Sequence, residues 1–210
     1  IFFHAAFLKR LNGRLKMRLG YLIIMVAMGL VTACGTSTNG AKAPPKFDSG
    51  GYAAIAMNAR RLEIVENWQM PMEAPYIGHF QTPYPSNIVA EWAASVLQPA
   101  GGSGELILDI SKASVTKEKL PRETNLQGIL SDQQDTKIRV ELVARLMWLQ
   151  PVGGARAMVN LSASQSKTIP ESSTPNEFDR AVKETLLLAL AALDRQARDE
   201  LQKIDNIILP

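Results

Sequence analysis

The sequence predicts an α+β domain: a two-layer sandwich in which a four-stranded, mainly antiparallel sheet carries two helices on one face, in the order βαβββα. Three observations predict it. From Lys137 to Trp148 every second residue is apolar. Ile138, Val140, Leu142, Ala144, Leu146 and Trp148 share one face, with Lys137, Arg139, Glu141 and Arg145 opposite, as a strand with one wet face requires. Pro151-Val-Gly-Gly154 then turns the chain into a second alternating run, Ala155 to Ile169. Two other segments repeat their apolar residues at helical spacing, near 87–97 and from 175 to about 203.

In chain order, the first strand is Arg61-Leu-Glu-Ile-Val-Glu-Asn-Trp68, short and rich in β-formers. Residues 70–85 follow with four prolines, too many for a helix or a central strand. Ser86 stands as the N-cap of a helix reaching Leu97, whose stripe is Ile88, Val89, Trp92, Ala93, Val96 and Leu97. Pro99-Ala-Gly-Gly-Ser-Gly104 ends it. A strand is expected over about 105–117, with a bulge where Ala113 and Val115 fall out of phase with Leu106, Leu108 and Ile110. A polar stretch from Lys119 to Asp135 separates this strand from the next. The last helix has the clearest start: Thr174 as N-cap, Pro175 at N1 and Glu177 at N3, so that cap and glutamate each satisfy an orphan backbone N–H. Phe178, Val182, Leu186, Leu190, Leu193, Ala197 and Leu201 line one face of a helix of roughly 28 residues, about 42 Å long.

The N-terminal part is of a different kind. Met17-Arg18 opens an apolar run, Leu19 to Val31, that is shorter than the roughly 20 residues a spanning helix needs. A basic start, an apolar core and small residues at its end make a secretory leader. Residues 1–16 read as upstream sequence ahead of a start at Met17. The leader closes on Leu30-Val31-Thr32-Ala33-Cys34, and Cys34 is the chain's only cysteine. An apolar residue three before the cysteine, small residues beside it and the thiol itself resemble the lipobox of bacterial lipoproteins.

The resemblance implies that Leu30, Val31, Thr32 and Ala33 are read by the signal peptidase. Cys34 would carry a thioether-linked diacylglycerol, become the new N-terminus and be N-acylated. It implies no other cofactor. Gly35, in place of the aspartate that favours inner-membrane retention in enterobacterial lipoproteins, points to the periplasmic face of the outer membrane, with the inner membrane as the alternative. The expected organisation is therefore a leader at 17–33, a lipidated N-terminus and flexible tether at 34–58, and a periplasmic domain at 59–210. Gly35 to Lys46 is small, polar and ends in Pro-Pro-Lys, as a spacer would.

The formal charge of +3 invites a polyanion partner, but five of the 23 basic residues (Lys9, Arg10, Arg14, Lys16, Arg18) lie in the first 33 residues, which hold no acid. The 18 that remain face 20 acidic residues, a net of −2. Without a basic cluster there is no electrostatic footprint for nucleic acid. With Cys34 acylated no thiol remains for a disulfide, so the core alone must hold the fold.

Catalytic equipment is sparse. Past the leader the one histidine is His79, no Gly-x-Ser-x-Gly elbow presents a serine, and no His-Glu-x-x-His or cysteine pair offers a metal site. Gly101-Gly102-Ser103-Gly104 precedes a strand and lacks the lysine of a phosphate loop, so it reads as a turn. The proline-rich segment is the candidate partner-binding loop. Tyr76, His79, Phe80 and Tyr84 place aromatic rings on a backbone stiffened by Pro71, Pro75, Pro83 and Pro85. Tyr76 and Phe80 have a second role open to them, folding back to cap the core. Trp68, Trp92 and Trp148 fall on inner faces and read as core.

The order of elements over about 60–203 is similar to that of small periplasmic lipoproteins that assist outer-membrane assembly or serve lipid-transporting ABC systems as auxiliary subunits. That resemblance carries no motif, so it assigns no residue. Together these features lead to the expectation of a non-enzymatic envelope lipoprotein that binds a protein or lipid partner. The alternatives are a structural envelope lipoprotein without ligand, and a hydrolase working through carboxylates such as Glu63, Glu66 or Asp109.

Overall fold

The computed structural model describes residues 44–121 and 134–210. The leader, Cys34 with its lipobox, and residues 122–133 of the polar stretch lie outside the described residues. Secondary structure begins with a single 3-10 turn at Ser49–Gly51, capped by the Asp48 carboxylate. The strands are β1 (Ile55–Met57), β2 (Arg61–Glu66), β3 (Leu97–Pro99), β4 (Glu105–Lys119), β5 (Gln134–Leu149) and β6 (Arg156–Pro170). The helices are α1 (Pro85–Val96), between β2 and β3, and α2 (Pro175–Leu201), after β6.

The main sheet runs β2-β4-β5-β6. The pairings β4–β5 and β5–β6 are antiparallel, the second as the short turn at 151–154 demands. Gly153 and Gly154 both adopt positive φ in that turn. The first pairing differs from a fully antiparallel sheet, because β2 lies parallel to β4. Its cause is the helix between them: a chain that leaves one end of a sheet and returns through α1 re-enters in the same direction. β4 is bulged between Ile110 and Lys112, where its apolar phase shifts.

Burial follows the alternation. Leu106, Leu108 and Ile110 on β4, the six apolar residues from Ile138 to Trp148 on β5, and Val159, Leu161 and Ala163 on β6 form the inner face. Both helices pack on that face. Ile88, Val89, Trp92, Ala93 and Val96 of α1 and Val182, Leu186, Leu190, Leu193 and Ala197 of α2 close the core. The helices also touch each other through a buried hydrogen bond, Trp92 Nε1 to Asp194 Oδ1 at 3.0 Å. Among the described residues no helix is long and apolar enough to cross a membrane.

The capping box of α2 forms as the sequence requires. Thr174 Oγ1 accepts from the Glu177 N–H at 3.3 Å, and Glu177 Oε2 accepts from the Thr174 N–H at 2.7 Å. That bond, with a further one from the Thr174 hydroxyl, holds the Glu177 carboxyl below the usual carboxylate range. α1 begins differently from expectation. Ser86 is not its cap: the cap is Tyr84, with no side-chain bond, and Pro85 takes the first helical position. Proline loses nothing there, since the N–H it lacks is an orphan in any residue.

A second, two-stranded sheet accompanies the main one. β1 pairs in parallel with β3, and Met57 bridges on its other side to Ile208 near the C-terminus. The turn 101–104 packs against this layer. A Cβ built on Gly104 would stand 2.5 Å from the Asn58 carbonyl oxygen and 2.8 Å from Trp148 Nε1, whose own N–H donates to that same carbonyl. Gly104→Ala should therefore cost about 1–3 kcal/mol through overpacking. Urea denaturation checks this, and a variant as stable as the parent would show that the contact gives way freely.

Candidate functional site

The proline-rich loop is held by backbone bonds to the edge of β4. The bulge ends β2's pairing at Glu66 opposite Ile110, and the loop takes over that edge further on. Ile77 N–H donates to Val115 O and Lys117 N–H to Pro75 O, both at 2.8 Å. Prolines suit this edge role, because a residue facing solvent on one side needs no donor there.

The four loop aromatics divide. Tyr76 is half-buried, its ring 6.4 Å from that of Trp68, and its backbone bridges to Thr116. His79 is partly buried with its ring 3.9 Å from that of Phe80, and its Nδ1 is buried with no partner. Phe80 is 74 % exposed and Tyr84 45 %. Tyr76 lies over the polar outer face of the sheet beside Lys112, Arg139 and Glu141, and its neighbour Ile77 packs on the core, while Phe80 and Tyr84 present free ring surface. Trp92 and Trp148 are buried and Trp68 packs against the core.

A cleft of about 270 Å³ opens beside this loop, between the two helices. Its walls are Gln81 to Pro83 from the loop, Ile88 and Glu91 from α1, and Lys183, Leu186 and Leu187 from α2. Pro45, Lys46 and Phe47, where the spacer joins the domain, complete it. Gln81 is buried and its Oε1 has no hydrogen-bond partner. The volume lies near the lower end of the range for small-ligand sites. The sequence pattern marks no residue of α2 as part of a site. The available signal was Leu186-Leu187-Leu188, three consecutive leucines where a single stripe uses only the first.

The open face of the sheet is polar toward the loop. Lys112 pairs with Glu141, and Arg139 lies 3.5 Å from the same carboxylate. The Lys112 hydrogen bond is the main reason the Glu141 carboxyl sits below its ordinary range. Asp109 is on this face too, accepting from Asn67 Nδ2 at 2.8 Å. Glu63 shares the face from β2, whereas Glu66 has the opposite parity. Among the described residues no three His, Cys, Asp or Glu side chains gather in a group able to hold a metal. What the site offers is apolar surface, exposed rings and one unpaired amide oxygen.

Fold and cleft together define a two-layer α+β sandwich with a cleft at its helical surface. No protein-family model matches the chain, and no curated protein matches it. Among solved structures it is similar to rare lipoprotein B from Shewanella oneidensis, at 10 % identity and a TM-score of 0.36, over 68 % of this chain and 94 % of that one. It is also similar to a Xanthomonas campestris protein of the family DUF330, at 10 % identity and a TM-score of 0.30, over 71 % of this chain and 94 % of that one. Likenesses this loose fix neither a ligand nor a partner.

Proposed function

We propose that this chain is a lipid-anchored lipoprotein of the bacterial envelope, on the periplasmic face of the outer membrane, that binds a protein or lipid partner without catalysing a reaction. The leader, the Val31-Thr32-Ala33-Cys34 lipobox and the spacer support the anchor. The observation that carries the binding role is the apolar cleft walled by Phe47, Ile88, Leu186 and Leu187, set where the spacer joins the domain and rimmed by the loop that exposes Phe80. A partner held there sits within spacer length of the bilayer.

The test is crosslinking and pulldown from native envelopes, comparing the parent chain with Leu187→Arg and Phe80→Ala. Each should lose recovered partner or lipid about tenfold, equivalent to ~1.4 kcal/mol, with a melting temperature close to that of the parent. Full recovery with both variants would rule the cleft and loop out. A second reading, a structural envelope lipoprotein without ligand, draws support from the filled interior between helices and sheet, where Trp92, Leu106, Leu142 and Leu190 are almost wholly buried.

A further inference from the structure

The two edges of the main sheet are built differently. β2 is six residues long, carries Arg61, Glu63 and Glu66, and gives way to the proline-rich loop. Charge, shortness and proline are the ordinary protections of an edge. β6 has none of these in its middle. It runs for 15 residues, and from Ala157 to Ser166 it holds no charge, no proline and no glycine. Among the described residues no strand pairs with its outer side.

One outward N–H of β6 is occupied, that of Ser162, which donates to Gln196 Oε1 of α2 at 2.7 Å. This bond fixes which ridge of α2 overhangs the open edge. Leu188, Ala192 and Gln196 follow one another at intervals of four and share that ridge. Leu188 is 58 % exposed. On the opposite face of the sheet, Met158 is 60 % exposed and ends the cross-strand row Ile107, Met147, Met158. The open edge is thus flanked by exposed apolar side chains in both layers.

We propose that two copies of this chain pair edge to edge through β6, antiparallel about a two-fold axis near Ser162, to make one eight-stranded sheet with the α2 helices side by side. A lone extended segment would satisfy the edge and reach Met158 but leave Leu188 uncovered. A second copy brings a strand and a helix together, and a two-fold interface needs only one self-complementary surface. The charges fit this register. With Ser162 at the centre, Arg156 stands opposite Thr168 and Lys167 opposite Ala157, so neither cation directly faces another. Gln196 caps the Ser162 N–H in the single copy, and pairing exchanges it for a carbonyl of the partner strand.

Native mass spectrometry of the full-length chain released from detergent, over a micromolar concentration series, reads the result. The parent should be dimeric. Ser164→Pro removes an outward N–H while sparing the ladder to β5, and Leu188→Asp alters only the helix ridge. Each should raise the dimer dissociation constant at least about tenfold, with circular dichroism unchanged for Leu188→Asp. Glu63→Lys, on the other edge, should leave the dimer as tight as in the parent. A monomeric parent, a dimer that survives both β6-side variants, or one lost only with Glu63→Lys would overturn the proposal. So would a chain found paired at β6 with an extended segment of a different protein.

Discussion

Replacing Trp92 by alanine should lower the unfolding free energy by about 3–5 kcal/mol, a large part of the roughly 5–15 kcal/mol that a domain has in total. Trp92 is wholly buried at the contact of α1 with α2. Truncation leaves a cavity bounded by both helices and the sheet, and also takes a donor from a buried carboxylate. Asp194 is 7 % exposed and accepts from Trp92 Nε1 at 3.0 Å and from Arg198 Nε at 2.8 Å. Arg198 reaches on to the Ala53 carbonyl, which ties the start of the domain to the end of α2. Nearby, burial first and the charge of Asp194 second push the Tyr52 phenol above its ordinary range. Trp92→Phe fills most of the volume but cannot donate, so it should cost less, about 1–3 kcal/mol. Urea denaturation separates the two. Equal costs would mean that the hydrogen bond, rather than the packed indole, holds the helices together. A cost under about 1 kcal/mol for alanine would contradict the close packing.

Cys34→Ser should abolish anchoring. On the proposed lipoprotein reading, a serine hydroxyl cannot take the thioether-linked diacylglycerol, and without it the leader would not be removed at Ala33. The expected product is a precursor longer by the 17 residues from Met17 to Ala33, with no fatty-acid label. Each buried methylene of an acyl chain contributes about 0.8 kcal/mol, and one chain alone binds only marginally. Losing every chain therefore removes the whole lipid contribution. Metabolic labelling with fatty acid, with detergent-phase partitioning and the processed mass as companions, checks it. A Cys34→Ser chain that still carries label and is trimmed to the same size would sink the lipoprotein reading.

The elements that were legible are those whose side-chain period is set by a single face. β5 packs one face and wets the other, so Ile138 to Trp148 could be assigned residue by residue. α2 announces its own start, because Thr174 and Glu177 satisfy backbone donors locally. β1 and β3 were not legible: three residues each have no period to read, and their pairing depends on α1 delivering Leu97 beside Ile55. The parallel course of β2 was equally hidden, since alternation reports a face and never a direction. In the loop, composition marked the rings but not their division. Tyr76 turned out half-buried because the bulge at Ile110 leaves a stretch of β4 edge that the loop backbone covers, and no local pattern encodes that vacancy. The cleft was missed for the same reason, since its walls come from the spacer, the loop and both helices.

By itself the sequence determined the fold class, the inward faces of β5 and β6 and the start of α2. Each depends on neighbours within a few residues, where period and capping chemistry act directly. Only the tertiary structure decided that β2 runs parallel to β4, that Gln81 is buried with its amide oxygen unpaired, that Leu187 faces a cleft, and that β6 is left as an unprotected edge. These depend on segments far apart in the chain meeting in space, and the hydrophobic burial that brings them together is non-directional. A one-dimensional pattern records how much surface is to be buried, while the packed structure settles against what.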